Sequence, residues 1–92
     1  MKRILVIEDD ATVRRVIVEA LETRDWRPIE APDGEAGLNA ATAELPDMIL
    51  CDIQMPKLDG FGVLRQIREK GATATIPFLF RAGPDEWTAY LK

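Results

Sequence analysis

Lys2-Arg3-Ile4-Leu5-Val6-Ile7-Glu8-Asp9-Asp10 sets a four-residue apolar run directly against three acids. A run that is apolar at every position reads as a strand buried on both faces, which is the signature of a parallel sheet covered by helices on two sides. Met48-Ile49-Leu50-Cys51-Asp52 repeats the pattern with one acid at its end. Between these runs, Val13, Val16, Ile17, Ala20 and Leu21 recur at helical spacing over about 11–24, with Asp10 or Thr12 placed to cap the helix. Arg27-Pro28-Ile29-Glu30-Ala31 is a weaker strand, and its proline assigns it to an edge. Asp33-Gly34 reads as a turn and 35–45 as an Ala-rich helix, broken by Pro46-Asp47.

Downstream, Phe61, Leu64 and Ile67 predict a helix over about 61–70, stopped at Gly71. A fourth strand is expected over 76–80. Pro84-Asp85-Glu86 resembles a helix start, so Trp87, Tyr90 and Leu91 would begin the apolar face of a fourth helix. The order β-α-β-α-β-α-β-α predicts an α/β fold in three layers, a doubly wound parallel sheet with right-handed crossovers.

Composition bounds what this fold can do. Ninety-two residues make at most one domain, with a core burying about 60–65% of the unfolded surface. Sixteen acidic against twelve basic residues give a net charge of −4, so no electrostatic footprint for nucleic acid is present. The chain has neither His nor Ser, which excludes a Ser-His-Asp triad, a Cys-His pair and a His-ligated zinc within it. The single Cys51 suggests a reducing, cytoplasmic setting, and Met1-Lys2-Arg3 with four apolar residues is too short for a signal peptide or a membrane span. Chemistry must come from carboxylates.

In doubly wound sheets, ligands bind beyond the carboxyl ends of the strands. If the two apolar runs are the central pair, Glu8, Asp9 and Asp52 converge there. Two carboxylates ~4 Å apart repel by about 4 kcal/mol at an effective dielectric near 20. A shared proton or a bound cation must offset that. Hard oxygen ligands without His or Cys suit Mg²⁺ or Mn²⁺, and an aspartate beside such an ion can act as the nucleophile that forms an aspartyl-phosphate. Asp10 reads instead as the helix cap.

These segments resemble the receiver domain of two-component response regulators, the CheY-like family, over Lys2 to about Phe80. The first run and its acids resemble the family's first strand and acidic pair. Pro46-Asp47 through Gln54-Met55-Pro56, followed by Asp59-Gly60, resembles the phospho-acceptor strand and its loop. The resemblance implies a flavodoxin-like strand order 2-1-3-4, and a chain truncated before the family's fifth strand and helix. It implies that Asp52 accepts a phosphoryl group from the histidine of a sensor kinase or phosphotransfer protein. Asp9 would ligate Mg²⁺ directly and Glu8 directly or through water, with Asp52 and the backbone carbonyl of Gln54 as further ligands.

Two departures from the family's pattern stand out. The hydroxyl residue expected after the fourth strand is replaced by Ala82, or by Arg81 if one residue is missing. The family's phosphate-binding Lys lies at the end of a fifth strand; Lys92 would stand in that place only if the fourth helix were deleted, and otherwise reads as an ordinary helix residue, which leaves no phosphate-binding Lys. A receiver lacking its fifth strand would expose Phe78-Leu79-Phe80 as a sheet edge, which predicts a homodimer or domain-swapped oligomer. The alternative function is therefore a receiver-derived interaction module with an impaired switch. An aspartate-nucleophile phosphatase is disfavoured, because Gln54 stands where its second Asp belongs. Gly60-Phe61-Gly62-Val63-Leu64-Arg65 lacks the third Gly of a dinucleotide fingerprint and reads as a turn opening a helix. Lys57, Arg14 and Arg15 read as solvated charges, and Cys51 as a small core residue.

Overall fold

The computed structural model describes residues 1–83 and 86–90, with side chains through Arg81. The described residues form three helices and five strands: β1 (Arg3–Ile7), α1 (Ala11–Glu22), β2 (Arg27–Ala31), α2 (Gly34–Glu44), β3 (Met48–Asp52), α3 (Gly60–Glu69), β4 (Phe78–Gly83) and β5 (Glu86–Tyr90). The sheet order is β2-β1-β3-β4-β5. The first four strands are parallel in the order 2-1-3-4, as the sequence predicts. Pro28 lies in the edge strand β2, where a missing N–H leaves no ladder bond unmade.

Side chains alternate across a strand, and that alternation divides the core into two. Leu5, Ile7, Ile49 and Cys51 bury one face of the sheet with Ala41 of α2 and Val63, Leu64 and Ile67 of α3. Ile4, Val6 and Leu50 bury the other with Val18 and Leu21 of α1. Phe78 and Phe80 are fully buried on the first face, their ring centroids 5.1 Å apart. Deleting either ring would cost about 3–5 kcal/mol.

Two expectations are corrected at the C-terminal end. The fourth strand runs from Phe78 to Gly83 rather than 76–80. Ile76 closes a turn, its amide donating to the Thr73 carbonyl, and pairing with β3 begins where the Pro77 carbonyl accepts from the Ile49 amide at 2.9 Å.

The second correction concerns the predicted fourth helix: residues 86–90 form β5, antiparallel to β4. Trp87, Thr88 and Tyr90 are strand-favouring residues, and their pairing satisfies the backbone donors and acceptors along β4. The Phe78-Leu79-Phe80 edge is therefore covered by β5, and a fifth strand is present where none was expected, though antiparallel. Pro84, Asp85, Leu91 and Lys92 lie outside the described residues.

Candidate metal and phospho-acceptor site

Register and alternation together place the site. Val6 pairs with Leu50, and Leu50 with Leu79, so these three form one apolar row on the α1 face. Two residues further along each strand lies a charged row on the same face: Glu8, Asp52 and Arg81. Asp52 and Arg81 are register partners, and the β1–β3 register continued by one residue past Ile7–Cys51 sets Glu8 beside Asp52. The end of the sheet turns from apolar to ionic within one repeat.

Glu8, Asp9 and Asp52 each contribute a carboxylate oxygen to a group in which all lie within 4.8 Å of one another. Glu8 is buried, Asp52 half-buried and Asp9 exposed. This is an all-oxygen, open-sided donor set of the kind that suits a hard divalent cation retaining several waters. The three residues that the sequence brings together are thus brought together in the structure.

Burial pushes the Glu8 carboxyl above the usual glutamate range. The Asp10 amide, donating to Oε2 at 3.1 Å, opposes that shift. The neighbouring Asp9 and Asp52 push the same way as burial, and Arg81 opposes it. Asp10 is the N-cap of α1, as expected: its Oδ1 accepts from the amides of Thr12 and Val13 at 2.9 and 3.2 Å.

The β3–α3 loop closes tightly against the end of β3. The Gly60 amide donates to the Ile53 carbonyl at 2.8 Å, and Asp59 caps α3 by accepting from the Gly62 amide at 2.9 Å. Met55 is buried in the main core, while Gln54 is exposed at the mouth of the loop. Lys57 is exposed at φ 69°, a solvated turn residue. The Cys51 thiol is buried, donates to the Asp52 carbonyl at 3.2 Å, and is pushed far up by burial and then by the adjacent carboxylates, so it is an inert core group.

Arg14 does more than the sequence suggests. Its Nη1 donates to the Glu8 carbonyl at 2.8 Å and its Nε to Glu30 at 3.1 Å, pinning the end of β1 to β2. Arg15 stays exposed, 3.7 Å from Glu30.

The side chain at the cluster that the sequence does not single out is Arg81. Its Nη2 lies 3.0 Å from Glu8 Oε1 and 3.9 Å from Asp52 Oδ2. In the sequence it figured only as a position without a hydroxyl. The available signal was parity, since Leu79 and Arg81 repeat the spacing of Leu50 and Asp52. Ala82, the expected switch position, lies in β4 where pairing with β5 shifts register between Arg81 and Gly83.

Comparison with known proteins agrees with this geometry. The response regulator receiver domain family matches residues 4–87. The alkaline phosphatase synthesis transcriptional regulatory protein PhoP of Bacillus subtilis is 36% identical over 85 residues, covering 92% of this chain and 35% of that protein. The chain thus spans about a third of this curated relative's length. The N-terminal domain of a response regulator receiver protein from Methanoculleus marisnigri superposes with a TM-score of 0.85 at 40% identity, over 87% of this chain and 65% of that one. The receiver domain of a sensor histidine kinase from Pseudomonas aeruginosa, whose structure has magnesium coordinated in the active site cleft, gives 0.82 at 29% identity, over 86% and 65%. The chain therefore belongs to the response regulator receiver domain family, the signalling modules of two-component systems.

Proposed function

We propose that this chain is the phospho-accepting module of a two-component phosphorelay, with Asp52 as the acceptor. The observation that carries the reading is the cluster of Glu8, Asp9 and Asp52 oxygens within 4.8 Å at the carboxyl ends of β1 and β3. Glu8, Asp9, Asp52 and the Gln54 backbone carbonyl would hold Mg²⁺ or Mn²⁺, which when bound neutralises charge on the phosphoryl oxygens. The Asp52 carboxylate attacks phosphorus, the P–N bond to the donor imidazole breaks, and the imidazole leaves with that electron pair. The donor is a phosphohistidine of a sensor kinase or phosphotransfer protein, consistent with a chain that has no His of its own.

On this reading the chain is a signalling module rather than an enzyme acting on a separate substrate. Net charge −4 disfavours nucleic acid as a direct partner. Among the described residues no helix is long and apolar enough to cross a membrane. Self-association through the sheet would use the outer edge of β5 in place of β4, because β5 already pairs along β4.

A second reading, an interaction module with an impaired switch, is favoured by one feature: β4 ends in Arg81-Ala82-Gly83, with no hydroxyl side chain. One experiment separates the two. Incubation with acetyl phosphate and Mg²⁺, followed by intact-mass spectrometry, gives a labile phosphoryl adduct absent from Asp52→Asn and from EDTA-treated samples. If wild type and Asp52→Asn are equally unlabelled, the phospho-acceptor reading fails and the interaction module stands.

A further inference from the structure

Both carboxylate oxygens of Glu8 are already engaged. Oε2 accepts from the Asp10 amide at 3.1 Å, and Oε1 accepts from Arg81 Nη2 at 3.0 Å. The same nitrogen lies 3.9 Å from Asp52 Oδ2, so one guanidinium serves two members of the acidic cluster. The Glu8 side chain is 2% exposed and that of Arg81 19%, which leaves little water to screen the pair. The three carboxylates call for a counter-charge, and Arg81 supplies it from within the chain.

A guanidinium cannot be deprotonated in this setting, so its charge can be withdrawn only by movement. A divalent ion ligated by Glu8 and Asp52 needs the oxygens that Arg81 contacts, and it repels the guanidinium from the same short range. The arginine is held loosely for a buried ion pair. Glu8 is contacted through Nη2, and Nε is buried with no hydrogen-bond partner. The pair lacks the bidentate fork that makes arginine–carboxylate contacts strong.

We infer that Arg81 and a divalent cation are alternative occupants of the Glu8–Asp52 oxygens, so that metal uptake requires Arg81 to release Glu8. The inference rests on the reading of Glu8, Asp9 and Asp52 as a metal centre. Arg81 then sets the affinity of that centre. With the guanidinium in place the charge of the metal-free cluster is partly offset, and metal binds only as tightly as it out-competes a tethered cation. The release occurs next to the shift in β4–β5 register between Arg81 and Gly83, so it acts on the strand that carries Ala82.

The test is uptake of Mn²⁺ alone, read from the loss of the free-ion paramagnetic resonance signal, by wild type, Arg81→Lys and Arg81→Gln. Coupling between close charges commonly exceeds a factor of ten in affinity. Arg81→Gln is accordingly expected to bind Mn²⁺ at least about tenfold more tightly than wild type, with Arg81→Lys between them. Without metal, Arg81→Gln melts below wild type, and added Mg²⁺ narrows the gap.

In the unaltered protein, the Arg81 side-chain N–H resonance is expected to move and exchange faster with water as Mg²⁺ is added, which needs no variant to fold. Measurable but equal Mn²⁺ affinities, or an Arg81 resonance that ignores Mg²⁺ while Asp9 and Asp52 respond, overturn the competition and leave the metal centre standing. No Mn²⁺ uptake by any of the three proteins overturns both.

Discussion

Gly60 and Asp52 approach so closely that a Cβ on residue 60 would lie 2.5 Å from the Asp52 carbonyl oxygen. The same atom would meet the Phe80 ring at 2.8 Å. Helix α3 thus starts directly on the end of β3, with the Gly60 amide donating to Ile53 and Asp59 capping the first turn. The backbone there has nowhere to go, since Asp52 is paired to β4 through Arg81. Gly60→Ala is expected to cost about 1–3 kcal/mol in urea unfolding, the usual range for overpacking. It should also slow phosphoryl labelling, because relief of the contact moves the Asp52 backbone. Unchanged stability in Gly60→Ala would mean that the strand and helix are less tightly apposed.

Asp10 stands beside Asp9 yet serves a different element. Its Oδ1 holds two first-turn amides of α1, while Asp9 turns to the cluster. Asp10→Ala should therefore cost about 1 kcal/mol of stability, as loss of a side-chain cap does. Its Mn²⁺ affinity should stay within a factor of two or so of wild type, an effect of no more than about 0.4 kcal/mol. A large loss of metal binding would instead make Asp10 a ligand.

Glu8 gives a pH dependence whose sign is fixed by its surroundings. Burial, the largest influence, raises its carboxyl above the ordinary 4.5, so the folded state holds the Glu8 proton more tightly than the unfolded one. A raised acid contributes stability that is fully present below the unfolded value and is lost as pH rises through the folded one. For metal-free protein, wild-type stability relative to Glu8→Gln should therefore fall as pH rises from 4.5 upward. Paired melts of the two proteins in EDTA across that range measure it. A constant difference, or one that grows in favour of wild type with pH, would contradict the raised value.

Most of the architecture was legible because it rests on short-range patterns. The runs Ile4–Ile7 and Met48–Cys51 are apolar on both faces, and Pro28 marks the edge, so β1, β3 and β2 take their places from local signals. The convergence of Glu8, Asp9 and Asp52 followed from adjacency of two strands. Arg81 was less legible because its role depends on three strands in register, which the local sequence does not display. The end of β4 carries a charge where the family's pattern has a hydroxyl, and no local motif marks that charge. Residues 86–90 misled for the opposite reason. Trp87 and Tyr90 sit three apart, a helical spacing, but the otherwise unpaired edge of β4 decided the outcome through antiparallel pairing with the segment that follows it.

Asp9 supplies the sharpest separation of metal binding from folding. It is exposed, so it contributes little packing, and its side-chain contact with Glu8 is one of the influences that raise the Glu8 carboxyl. Asp9→Asn should therefore leave the metal-free melting midpoint unchanged or slightly higher. Wild type behaves differently once metal is added. A ligand that binds only the folded state stabilises it by about 2.7 kcal/mol at a hundred times its dissociation constant. For a domain of this size that corresponds to a rise of roughly 10–20 °C. The variant should show only a small part of this rise at the same Mg²⁺ concentration, because one of three carboxylate donors is gone. A full metal-dependent rise in Asp9→Asn would show that the ion sits elsewhere, and the assignment of Glu8, Asp9 and Asp52 as one centre would fall with it.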